Sequence, residues 1–167
     1  MEVRLAHLGD AEAICRIYNA AVSGSTVTFD LEPRSLSEQS EWIVRHQGAH
    51  PAIVATEGEA VCGFGSVSPY RDRPAYSTTV EDSVYVEASW RARGVGRKIL
   101  DELVRLSTEH GFHTMIARTT ADNTASIALH ESCGFTLVGI EREVGRKFGR
   151  WLDVALLQRM LAVQAPA

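Results

Sequence analysis

The segment TTVEDSVYVEASWRARGVGRKIL (78–100) constrains the fold of this chain more than any other. Thr78 to Val86 is its strongest strand signal, rich in β-branched residues. Val95, Ile99, Leu100, Leu103, Val104 and Leu106 then recur at helical spacing, the buried stripe of a long amphipathic helix that Gly111 can stop. Between strand and helix lies SWRARGVGRK (89–98), where Arg91, Arg93, Arg97 and Lys98 have no acid among them and Gly94 and Gly96 sit at the helix entrance. Glycines let backbone approach a bound group, and the unpaired N–H groups and dipole of a helix start favour negative charge. Flanking arginines add charge-assisted hydrogen bonds. By itself the turn reads either as a solvated basic helix start or as a seat for phosphate or pyrophosphate. GVGRKI lacks the third glycine of the dinucleotide fingerprint, and GVGRK lacks the glycine spacing and Ser/Thr of a P-loop.

The rest of the chain supplies one domain around this unit. Residues 2–6 read as a strand, and Asp10 as the N-cap of a helix carrying Ala13, Ile14, Ile17, Tyr18 and Ala21. An irregular stretch (23–33) holds Val27 and Phe29, and Ser35 begins a second helix through Trp42, Ile43 and His46. Residues 51–56 and 60–68 form a predicted hairpin, followed by the surface loop PYRDRPA (69–75). Beyond the long helix come a strand (114–119), a helix capped by Asn123 and ending at Gly134, and strands 135–144 and 151–161 joined across RKFGR (146–150). The order β-α-α-β-β-β-α-β-α-β-β predicts one mixed α/β domain over residues 1–167.

Composition narrows the function classes. Seventeen Lys and Arg against 21 Asp and Glu give a formal charge of −4, which argues against a general nucleic-acid surface. Cys15, Cys62 and Cys133 cannot all pair and form no CxxC, so neither a disulfide framework nor a metal site is expected. The first residues lack the apolar run of a signal peptide, no stretch reaches the ~18 apolar residues of a membrane span, and the final QAPA is no lipidation signal. The expectation is a reduced, soluble, cytoplasmic protein.

The strand VEDSVYV, the R-x-x-G-x-G turn, the long helix, the next strand and N-x-x-S-x-x-L-H-x-x-x-G-F, in that order, resemble the acyl-CoA-binding half of the GNAT superfamily of N-acetyltransferases. STVTFDLEP (25–33), the Arg-bearing loop through Tyr76, VEDSVYV (80–86) and KFGRWLD (147–153) are similar to its phosphinothricin and methionine sulfoximine acetyltransferase branch. The resemblance spans essentially the whole chain. It implies a central mixed, mostly antiparallel sheet flanked by helices, acetyl-CoA as co-substrate, a small amine acceptor and a homodimer.

The resemblance also implies residue roles. Backbone of Val84, Tyr85 and Val86 would bond pantetheine and polarise the thioester, and the pyrophosphate would sit on the turn from Arg91 through Ala92, Arg93, Gly94, Val95 and Gly96 to Arg97. Asn123 and Ser126 fall where the family contacts the CoA arm, and Asn123 can cap its helix at the same time. Glu81 takes the place of the catalytic base. An amine with a pKa near ~8 is mostly protonated in neutral solution, and burial would lift a carboxyl toward the working range. Read only as a strand residue, Glu81 would face solvent; Asp82 then takes the opposite face.

His130 stands where many members carry a tyrosine that protonates the departing thiolate. Histidine can do this as general acid, or simply pack beside CoA. Cys133, one turn away, reads as a small core residue. Arg71, Arg73, Pro74, Ala75 and Tyr76 resemble the acceptor loop, with Phe29 and Glu32 as weaker candidates; two arginines suit a carboxylate and a second polar head. Lys147, Phe148 and Trp151 match a hairpin that in the family often packs near a two-fold partner. The expected activity is direct acetyl transfer with Glu81 as base. The alternatives are acetylation of a protein N-terminus or lysine, and a non-catalytic CoA-binding sensor.

Overall fold

The computed structural model describes residues 1–161. Its strands are β1 (Glu2–Leu5), β2 (Ala52–Glu57), β3 (Ala60–Pro69), β4 (Thr79–Val86), β5 (Thr114–Thr120), β6 (Thr136–Lys147) and β7 (Arg150–Met160). Its α-helices are α1 (Ala11–Gly24), α2 (Leu36–Arg45), α3 (Val95–Glu109) and α4 (Thr124–Ser132). The strands form one sheet in the order β1-β2-β3-β4-β5-β7-β6. Among the described residues only the β4–β5 pair is parallel. Element order and sheet type are those expected. Among the described residues no helix is long and apolar enough to cross a membrane; QAPA lies outside them.

Helices cover both faces. Ile14, Ile17, Tyr18 and Val22 of α1 and Ile43 of α2 pack with Val54, Val61 and Phe64. On the other face the predicted α3 stripe packs with Ile53, Cys62, Val67, Val80 and Met115, and Cys133 belongs to this core. Each fully buried Ile or Leu there contributes roughly 1.5–3 kcal/mol. Close packing of α3 requires a glycine in β3: a Cβ on Gly65 would lie 2.5 Å from Ile99 Cγ2 and 3.0 Å from Leu103 Cδ1.

Two local expectations need correction. Asp10 occupies the position before α1, but its side chain caps nothing there. Both its oxygens instead accept from Arg4 at 2.8 Å, and Oδ2 accepts the His7 N–H at 2.9 Å. A buried carboxylate bonds the guanidinium fork more strongly than a neutral amide. The last hairpin is also longer than expected, with a two-residue turn in which Phe148 (φ +50°) and Gly149 (φ +74°) are both left-handed. That geometry matches the twist of paired strands, so pairing runs to Lys147 and Arg150.

One seam opens the sheet. The β4–β5 register holds only Thr79↔Thr114, Val80↔Met115 and Glu81↔Ile116. Beyond Glu81, β4 stays with β3 as far as Gly63↔Val86, while β5 pairs with β7. The two strands therefore splay, with Asp82 to Val86 on one side and Ala117 to Thr120 on the other.

Candidate active site

The splay leads into a cavity of about 880 Å³, lined by the open half of β4, the turn before α3, the β5 residues opposite and the start of α4. Strand parity decides what β4 offers. The Thr79 carbonyl accepts from Tyr70, and the Glu87 N–H donates to the Cys62 carbonyl, so odd-numbered residues turn their backbone groups to β3. Asp82, Val84 and Val86 consequently turn theirs toward the opening. Tyr85 lines the cavity, but its ring packs on Phe64 (5.1 Å between centroids) and edge-on to Tyr18 (5.2 Å) on the α1 face.

The basic turn closes one end of the cavity. Arg91, Ala92, Gly94, Val95, Gly96 and Arg97 all line it. Gly94 caps α3 at φ +79°, and no side chain meets the first N–H groups of the helix. Ala92 is left-handed at φ +57°, a strained position for a residue with a Cβ. Arg93 departs from expectation: it does not line the cavity, and its guanidinium lies 5.2 Å from the Trp90 ring centroid. Arg91 Nε reaches the free Val86 carbonyl at 3.4 Å. Asn123 lines the opposite wall while its side chain accepts from the Ser126 N–H at 3.1 Å, so capping and lining coincide. Open β4 backbone groups, unmet helix N–H groups and arginines fit a long ligand with amides at one end and phosphates at the other.

Glu81 sits at the last paired position of the seam. Its side chain points to the α1 face, half-buried, while Asp82 is buried toward α3 and α4, as expected. Burial pushes the Glu81 carboxyl up; Arg118 pulls it down, Asp82 and Glu141 add to the rise, and Arg71 opposes it. The net direction is upward, as a base near neutral pH requires. Arg118, which lines the cavity and pairs with Glu141, is a site residue that the sequence reading missed. A lone charge inside the apolar strand TMIARTT was the available signal.

His130 is buried on the cavity wall. Its Nδ1 lies 2.7 Å from the Ser126 carbonyl and its Nε2 3.1 Å from Asp82 Oδ2. Burial works against the charged ring, but the hydrogen bond and charge of Asp82, with the Ser126 carbonyl, outweigh it and raise His130 above its ordinary value. Asp82, missed as a functional residue, thus joins His130 across 48 positions of sequence.

The acceptor candidates are less tightly gathered. Arg71 lies over the rings of Tyr70 (4.9 Å) and Tyr76 (5.6 Å) and within electrostatic reach of Glu81. Pro74, Ala75 and Tyr76 form a short 3-10 turn, and Arg73, Pro74 and Ala75 are exposed. Phe29 packs where Gly145 leaves room, since a Cβ there would overlap its ring. Lys147, which the sequence put in the turn of the last hairpin, is buried and donates to the Thr28 carbonyl at 2.8 Å, tying that hairpin to the Phe29 loop. Neither Glu81 nor Arg71, Arg73, Pro74, Ala75, Tyr76 or Phe29 lines the main cavity, and Glu32 stays exposed. Among the described residues no cluster of three His, Cys, Asp or Glu could hold a metal ion.

A splayed parallel pair, an uncapped helix start at its mouth and a carboxylate at its seam define an acyl-CoA-dependent transferase fold. The chain belongs to the acetyltransferase (GNAT) family, whose model matches residues 12–135. It is 38% identical over 156 residues to phosphinothricin N-acetyltransferase of Streptomyces coelicolor, covering 91% of each chain. It is 36% identical over 162 residues to the L-methionine sulfoximine/L-methionine sulfone acetyltransferase of Salmonella typhimurium, covering 96% of this chain and 95% of the relative. An acetyltransferase of Salmonella typhimurium, solved with its cofactor acetyl-CoA, superposes with a TM-score of 0.95 at 35% identity, covering 100% of this chain and 97% of that one.

Proposed function

We propose that this enzyme moves the acetyl group of acetyl-CoA to the amine of a small amino-acid-like acceptor of the phosphinothricin or methionine sulfoximine/sulfone type. The observation that carries the reading is the seam: β4 leaves β5 just after Glu81, whose half-buried carboxyl has a raised pKa, and the strand backbone beyond it and the anion-binding turn then line the cavity. The names of the relatives supply the acceptor class. When bound, acetyl-CoA supplies the acetyl group as an activated thioester. N–H groups at the start of α3, with Arg91 and Arg97, hold its phosphates, and the open backbone of Val84 and Val86 aligns the arm. Glu81 takes the amine proton, directly or through water, so that the lone pair can attack within a ternary complex. Arg71 and Arg118, whose charges both reach Glu81, would receive the acceptor's acid groups.

A single catalytic domain over 1–167, a homodimer and a cytoplasmic location complete the proposal. The homodimer is supported by exposed Leu137, Val138, Ile140, Val144, Phe148 and Trp151 on the last hairpin. Sedimentation of a species of one chain mass, 18.3 kDa, would overturn it.

The test is an acetyl-CoA assay against L-phosphinothricin, methionine sulfoximine, methionine sulfone, ordinary amino acids, polyamines and N-terminal peptides. Highest kcat/KM on the first three is expected; preference for peptides transfers the reading to a protein acceptor. Glu81→Gln should lower kcat by about 10²–10³-fold while acetyl-CoA affinity stays within about twofold. Because a base must be ionised, the acid limb of wild-type kcat/KM should lie above the ordinary glutamate range and vanish in Glu81→Gln. An unchanged limb would remove Glu81 from the mechanism.

A further inference from the structure

The Asp82–His130 pair carries a proton arrangement that its geometry fixes. Nδ1 of His130 faces the Ser126 carbonyl at 2.7 Å, with Ser126 Oγ a weaker neighbour at 3.4 Å. A carbonyl can only accept, so Nδ1 bears a proton. Nε2 faces Asp82 Oδ2 at 3.1 Å, and that contact needs a second proton on one side or the other. Both ring nitrogens are therefore engaged away from any ligand. The remaining oxygen, Asp82 Oδ1, is buried with no hydrogen-bond partner among the described residues, on a residue that lines the cavity. A buried carboxylate oxygen left without a donor is costly, and the cost falls when the carboxyl itself takes up a proton.

We propose that Asp82 is the residue that protonates the leaving sulfur, and that His130 is a positioning residue that stores the proton. The proposal rests on the acetyl-transfer reading above. As the amine nitrogen bonds to the acetyl carbon, the carbon–sulfur bond breaks and its electron pair leaves on sulfur. The shared proton passes from Nε2 to the Asp82 carboxyl, whose side chain swings toward the cavity and delivers it to that sulfur, giving the free thiol. The amine proton goes to Glu81 and then to water. The pair is left with an Nε2 lone pair facing a carboxylate, an unfavourable contact that draws a proton back from solvent once the cavity empties.

The test combines nitrogen NMR of the free protein with two acyl donors. In wild-type protein at neutral pH, both His130 nitrogens should show protonated shifts; in Asp82→Asn the ring should be neutral with one protonated nitrogen. Asp82→Asn should lower kcat with acetyl-CoA by about 10- to 100-fold, the low end for general acids because a thiol of pKa near ~8.5 leaves readily. Acetyl-CoA affinity should stay within about twofold. With the selenoester analogue of acetyl-CoA, whose selenolate leaves without a proton, the deficit should shrink to under about threefold. His130→Gln, which keeps a donor for Asp82 but stores no proton, should repeat the pattern and stands in if Asp82→Asn does not fold. An equal deficit with both donors, full speed in either folded variant, or a neutral wild-type ring overturns the assignment. A wild-type enzyme that acetylates no amine overturns instead the activity on which it rests.

Discussion

At the start of α2, Ser35 accepts from the Glu38 N–H at 3.2 Å, and Glu38 accepts the Ser35 N–H at 2.7 Å. At the start of α3, Gly94 is left-handed and no side chain meets the N–H groups. The start of α2 meets one of its orphan donors with its own cap; α3 leaves its own facing a cavity. A reciprocal cap contributes about 1 kcal/mol, and α3 forgoes it. Its anchorage comes from Ile99, Leu100 and Leu103, all fully buried, so the entrance is free to serve a ligand. An uncapped helix start on a well-anchored helix is a binding feature.

Substitutions can push each entrance toward the other's behaviour. The largest effect is expected at the third position of α3. Arg97→Glu places a carboxylate where helix starts favour one, yet opposes the proposed phosphate seat. Acetyl-CoA affinity by calorimetry should fall by about 10- to 100-fold, with the melting temperature unchanged, the favourable charge at the helix start offsetting the lost Arg97–Asp101 pair. A fall in both would make the turn a structural element. Next, Gly94→Ala should cost about 1–2 kcal/mol in urea unfolding, since a Cβ is strained at φ +79°. The smallest effect is Ser35→Ala: about 1 kcal/mol of stability lost and acetyl-CoA affinity unmoved. A change in affinity there would erase the distinction.

What could be read from sequence follows the same division. The 78–100 unit was legible because strand, turn and helix signals are local and adjacent, and the Ser35 cap because its partner is three residues away. Asp10 misled because the same short acid can cap forward or bind backward, and Arg4 decides between them only in space. Arg93 looked equivalent to Arg91 and Arg97; a left-handed Ala92 turns it toward Trp90. The Asp82–His130 contact and the burial of Lys147 under Thr28 depend on elements 48 and 119 positions apart. No period or spacing encodes such distances. The family resemblance placed Glu81 and His130, but it could not show that both nitrogens of His130 are already engaged.

The three-pair seam between β4 and β5 also has a mechanical meaning. A sheet zipped along most of its length resists shear as one plate. Here β1–β4 and β5–β7 are two plates sharing a short clasp, and α3, which follows β4 and leads into β5, is the strap across it. Motion between the plates costs little hydrogen bonding, and it changes the width of the gap between the Val84 and Val86 backbone and β5. In hydrogen exchange, the Val84 and Val86 amides should therefore trade faster than their central place in the sheet suggests, and slow when a ligand fills the gap. The cleft is then also a joint between the plates, and whatever occupies it acts as a splint.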